Sequence, residues 1–94
     1  MEDDEKIARR FMPLVLRRCR NQAGLSQQQL ADSVGVSKGF ISALEGGRSV
    51  PNLDMLVQLA EALNVSAGSL VNAMVDEAAK MNRRTPERRQ RDKE

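Results

Sequence analysis

The sequence predicts a single all-α domain of five short helices, with the fifth running on past the point where the domain itself would end. Three observations carry this. Punctuation residues cut the 94-residue chain into units of ordinary helix length. Apolar residues recur inside each unit at i, i+3 and i+4, and nothing between the units alternates as a strand would. Helix-capping signals stand where the middle units begin and end.

The first unit ends at Gly24 after an apolar stripe of Met12, Leu16 and Cys19, with Arg9, Arg10, Arg17, Arg18 and Arg20 supplying much of the rest of its surface. Pro13 leaves its start open. The helix begins near Pro13, where a proline suits the first turn, or an earlier helix from about Asp4 to Phe11 meets it at a kink. Ser26-Gln27-Gln28-Gln29 is a capping box, so a second helix over Gln27 to Val34 buries Leu30, Ala31 and Val34 and stops at Gly35. Ser37 caps a third helix, Lys38 to Leu44, whose core face is Ile41 and Leu44. Gly46-Gly47 closes it. Asn52 caps a fourth, with Leu53, Leu56, Leu59, Ala60 and Leu63 as its stripe and an end near Asn64. Ser66 starts the fifth, which carries Leu70, Val71, Met74, Val75, Ala78 and Met81. The organisation expected is an N-terminal extension over 1–11, a domain over 12–72, an extension of the fifth helix over 73–82 and a disordered basic tail over 83–94.

Composition removes most chemistry. There is no histidine, tryptophan or tyrosine and only one cysteine, so a zinc site, a disulfide framework and His-dependent catalysis lack their ingredients. The carboxylates Asp32, Asp54, Glu61, Asp76 and Glu77 stand singly in cap or surface contexts, which leaves no acid–base pair for an enzyme. No metal or other cofactor is expected. Cys19 falls on the apolar stripe and reads as a structural thiol. No apolar run reaches the roughly 20 residues of a membrane span, and the acidic start Met1-Glu2-Asp3-Asp4-Glu5 is unlike a secretory leader, so a cytoplasmic protein with no membrane partner is expected. The charge is uneven: residues 6–20 hold six cationic side chains and no acidic one, and residues 83–94 are basic again. Two basic segments around a neutral middle favour an anionic partner.

The second and third helices, joined by a short turn through Gly35, have the spacing of a helix-turn-helix. With Gly24-Leu25-Ser26-Gln27, Leu30-Ala31, Val34-Gly35-Val36-Ser37, Ile41-Ser42, Leu44-Glu45, Pro51-Asn52-Leu53 and Leu63-Asn64-Val65, the chain resembles the Cro/cI-type, lambda-repressor-like DNA-binding domain of the xenobiotic-response-element family. The resemblance covers residues 12–72 and implies a compact five-helix fold that binds double-stranded DNA. A helix fits the major groove, so the third helix would be the reader. If its core face is Val36, Ile41 and Leu44, helical geometry turns Lys38, Gly39, Ser42 and Ala43 outward, at positions matching the family's base-reading ones.

Lys38 can donate to guanine or to a phosphate, Ser42 can bond several bases, and Ala43 can meet a thymine methyl. Gly39 brings no functional group; it either permits close approach to DNA or is simply tolerated, and Phe40 is read as packing beside the turn. Gln27, Gln28, Ser37 and Arg48 are placed for backbone phosphates. The resemblance also implies an ion pair between Arg20 and Glu45 that braces the first helix against the third. One reader helix touches few base pairs, so a homodimer on a pseudo-palindrome is expected, with Val71, Met74, Val75, Ala78 and Met81 as its contact. Two alternatives stay open: the stripe packs back on Ile7 and Phe11 of the same chain, or it serves a protein partner, as in an antitoxin that masks a toxin or a regulator held by an antagonist.

Overall fold

The computed structural model describes residues 6–83, so the expectations for residues 1–5 and, of the basic tail expected over 83–94, those for residues 84–94 lie outside the described residues, while Arg83 ends the last helix. Five helices follow in order: α1 Ile7–Gln22, α2 Gln27–Val34, α3 Lys38–Glu45, α4 Leu53–Ala62 and α5 Ala67–Arg83. No strand occurs among the described residues. α1 packs on α5 and α3, α2 on α3 and α4, and α4 on α5, which closes the helices around one core.

That core takes an apolar stripe from every helix: Met12, Val15 and Leu16 of α1, Leu30 and Ala31 of α2, Ile41 and Leu44 of α3, Leu56, Leu59 and Ala60 of α4, and Leu70 and Met74 of α5. Burying a large aliphatic side chain is worth about 1.5–3 kcal/mol, so these residues dominate stability. Phe11, Cys19, Val36 and Phe40 are half-buried against the cluster, which gives Phe40 the packing role its sequence context implies and makes Cys19 a filler of the α1 stripe.

Local signals set the middle of the chain. Ser26 accepts from the Gln29 backbone amide at 3.0 Å while Gln29 Oε1 accepts from the Ser26 amide at 2.8 Å, closing the capping box. Gly35 ends α2 at φ +83°, a left-handed conformation that suits glycine, and donates to Ala31 O at 2.8 Å. Ser37 caps α3 by accepting from the Phe40 amide at 3.0 Å, and Asn52 caps α4 by accepting from the Met55 amide at 2.7 Å.

The two ends of the chain differ from local expectation. α1 neither starts at Pro13 nor breaks there; it runs unbroken from Ile7 to Gln22 with Pro13 inside it. A proline in a helix interior costs about 3 kcal/mol. Here Met12, Val15 and Leu16, all buried, offset that cost by locking both sides of the proline onto the core. In α5, Met74 is only 4% exposed and belongs to the core. It is therefore removed from the expected dimer contact, because the turn of α5 that carries it faces α1 and α4. Ala78 is half-buried, while Val71, Val75 and Met81 remain exposed.

Candidate nucleic-acid interface

The site is built around one buried charge. Glu45, the last residue of α3, is 4% exposed and is the one charged residue buried among the described residues. Its carboxylate receives a fork from Arg20 of α1, with Nε donating to Oε2 at 2.6 Å and Nη2 to Oε1 at 3.0 Å. Gln27, at the start of α2, donates Nε2 to Oε1 at 3.0 Å. Arg20 Nη1 also donates to the carbonyl of Leu25, at 2.8 Å, in the turn between α1 and α2. One carboxylate thus ties the end of α3 to two other helices. Two parallel N–H···O bonds make the Arg–carboxylate pair directional as well as attractive.

Burial pushes the Glu45 carboxyl up, but the hydrogen bonds from Arg20 and Gln27 and the charges of Arg20 and Arg17 outweigh it and hold the group below the usual carboxylate range. Its hydrogen bond to Glu45 raises Arg20 above an already basic value, so the pair is ionic across the working pH range. The bracing pair implied by the family resemblance is therefore present.

With Ile41, Leu44 and Glu45 turned inward, the opposite face of α3 carries Lys38 and Gly39, both exposed, and Ser42 and Ala43, both half-buried. A methyl group built on Gly39 would meet only the Ser37 hydroxyl, at 3.8 Å, so the glycine is not required by crowding within the chain. Around this face lie the expected phosphate ligands. Ser37 Oγ is occupied as an acceptor by the Phe40 amide and keeps its own hydrogen to donate. Gln28 donates to Asp32 at 2.9 Å along α2. Arg48 follows α3, exposed, and folds back so that its Nη1 lies 3.0 Å from where a side chain on Gly46 would begin.

Two parts of this arrangement escape a reading of the sequence. Gln27, expected to reach outward, spends an amide hydrogen on Glu45, a contact across 18 positions that no local pattern announces. Arg17 joins the same network: its Nη2 donates to the main-chain carbonyl of Glu45 at 3.2 Å. Its Nε is 4.0 Å from the carboxylate. The signal available for Arg17 was its i, i+3 spacing from Arg20 on one helix face.

Among the described residues no group of three or more His, Cys, Asp or Glu could hold a metal ion. No described helix is long and apolar enough to cross a membrane.

A helix-turn-helix protein is thus the class that the fold defines. Comparison with known proteins agrees: the profile of the helix-turn-helix family matches residues 16–70, and the chain belongs to that family. An HTH-type transcriptional regulator of Methanothermobacter thermautotrophicus is 42% identical over 52 residues, 55% of this chain and 75% of that protein. An HTH-type transcriptional regulator of Mycobacterium tuberculosis is 44% identical over 52 residues, again 55% of this chain but only 37% of that longer protein. Among solved structures, the clp gene regulator ClgR of C. glutamicum superposes with a TM-score of 0.70 at 27% identity, over 74% of this chain and 91% of that one. The DNA-binding domain of the P22 C2 repressor superposes at 0.62 with 33% identity, over 64% of this chain and 79% of that one.

Proposed function

We propose that the chain is a sequence-specific transcriptional repressor, without enzymatic activity, that binds a pseudo-palindromic operator as a homodimer in the cytoplasm. The observation that supports this most is the division of α3: Ile41, Leu44 and Glu45 anchor one face, and on the other Lys38 and Gly39 are exposed and Ser42 and Ala43 half-buried. A helix held from behind and accessible in front suits the major groove. The relatives named as transcriptional regulators and the P22 C2 repressor domain support the same reading.

In this reading Lys38 and Ser42 donate to base edges, Ala43 meets a thymine methyl, and Gly39 allows the backbone close. Ser37 uses its free hydroxyl hydrogen, Gln27 the amide hydrogen that Glu45 does not take, and Gln28 and Arg48 reach neighbouring phosphates. Dimerisation uses Val71, Val75 and Met81, exposed along α5, with Ala78 at their edge and without Met74. Two readers related by a twofold axis then address half-sites about 34 Å apart. The same exposed edge is the surface that an antagonist or toxin would occupy.

Selection of bound duplexes from a random pool tests the reading. An enriched inverted repeat is expected, and Lys38→Ala should lose about 1–3 kcal/mol of binding at one symmetric base position. Light scattering should show a dimer that Val75→Asp converts to a folded monomer. Absence of any enriched sequence, or a wild-type monomer at high micromolar concentration, would overturn the corresponding half of the proposal.

A further inference from the structure

We infer that Arg17 is a DNA-backbone ligand, which together with Arg48 holds one phosphate beside the C-terminal end of the reader helix. This rests on the DNA-binding reading above and extends it to a residue of α1 that the motif does not include.

Charge is the first argument. The Glu45 carboxylate is already engaged by the Arg20 fork and by Gln27, all at 3.0 Å or closer. Arg17 stands at the limit of ion pairing, 4.0 Å, and its side chain is 55% exposed against 13% for Arg20. One buried carboxylate thus faces two guanidinium groups, and Arg17 is the one whose positive charge is turned to solvent.

Position is the second. The Arg17 guanidinium donates to the Glu45 carbonyl, at 3.2 Å, at the point where the reader chain leaves α3. The next residue, Gly46, has no side chain, and Arg48 Nη1 fills the space where one would stand, 3.0 Å from the Cβ position. Only four covalent bonds separate the Glu45 carbonyl oxygen from that Cβ position, so the two guanidinium groups lie within about 10 Å of one another. Two long, flexible cationic side chains at that separation can converge on one phosphate, each contributing a charge-assisted hydrogen bond. Among the described residues no acidic side chain pairs with Arg48 to compete.

Arg17 then does two things at once: it holds the end of α3 from behind and neutralises the DNA strand in front. A purely structural Arg17 would affect folding alone, and the two roles separate experimentally. Affinity for a selected operator and for a random duplex should be titrated over a range of salt for the wild type, Arg17→Ala, Arg17→Lys, Arg48→Ala and the double alanine variant, with thermal melting of each. Arg17→Ala should weaken binding about three- to tenfold on both duplexes and flatten the slope of log affinity against log salt by up to about 1, because a backbone contact is sequence-independent. Arg17→Lys should keep most of that slope. The double variant should lose less than the two single losses combined. A methylphosphonate replacing the shared phosphate should erase the effect of either substitution. A lowered melting temperature with an unchanged salt slope for Arg17→Ala would overturn the inference and leave Arg17 a brace. So would fully additive losses, which would place the two arginines on separate phosphates. A wild type that binds neither duplex would overturn the DNA-binding reading itself, an outcome readily told apart from a silent variant.

Discussion

Arg18 and Arg20 stand two residues apart on α1, yet they make opposite kinds of ion pair. Arg20 reaches Glu45 at 2.6 Å with side-chain exposures of 13% and 3%; Arg18 reaches Glu77 of α5 at 3.0 Å with exposures of 43% and 15%. The first pair is the means by which α1 holds α3. The second sits at the rim of a contact already made by Leu70 and Met74, with Lys80 also on Glu77 at 3.3 Å. The contrast teaches what each junction needs. α5 needs only to be docked, and non-directional apolar packing does that. In the proposed function α3 needs a fixed direction so that its outer residues meet base edges in register, and a bidentate charged pair supplies direction.

The contrast breaks hardest at Glu45. Glu45→Ala strands Arg20 with its charge largely buried and should destabilise the fold by about 3–5 kcal/mol, read by denaturant unfolding. Acid probes the same group. A carboxyl held below its unfolded value adds stability that is present above that value, near the ordinary 4.5, and is lost as pH falls through the lower folded one. Melting temperature should therefore drop below about pH 4.5, and Glu45→Gln should flatten that part of the curve. On the α5 side the large effect should come from an uncharged residue: Met74→Ala should cost about 2–4 kcal/mol by leaving a cavity, and the loss should not depend on protein concentration. A cost that vanished on dilution would return Met74 to an intermolecular contact.

Smaller effects sharpen the same picture. Gly39→Ala meets only the Ser37 hydroxyl, at an ordinary contact distance of 3.8 Å, so it should raise stability by up to about 1 kcal/mol through helix propensity. If operator affinity falls while stability rises, the glycine serves close approach to DNA; unchanged affinity would make it merely tolerated. Arg18→Ala should cost under about 1 kcal/mol and progressively less as salt is added, because an exposed pair is screened.

These regions also differ in how far the sequence discloses them. The start of α2, α3 and α4 is legible because Ser26, Ser37 and Asn52 act on amides three residues ahead, and the end of α2 because Gly35 does its work in place. The continuity of α1 is not, since whether a helix passes through Pro13 depends on how firmly Met12, Val15 and Leu16 are held by other helices. The stripe of α5 marks an apolar face without saying which residues the domain itself consumes: Leu70 and Met74 are taken, Val71 and Val75 left. At the site, the outward positions of α3 follow from periodicity and the Arg20–Glu45 pair from family resemblance. The shares of Gln27 and Arg17 in that pair are contacts across 18 and 28 positions, visible only once the helices are packed.

The eight-residue span of α3 separates two jobs almost residue by residue. Its attachment uses Ile41, Leu44 and Glu45, all buried, while Lys38 and Gly39 are exposed and Ser42 and Ala43 half-buried. Polar or small changes at the exposed pair should therefore weigh less on folding than changes at the buried three. If this outer face reads bases, as proposed, a lineage carrying this scaffold can exchange one recognition identity for another by point changes while the intermediates remain folded, and a duplicated copy can drift to a new address without first acquiring compensating mutations elsewhere.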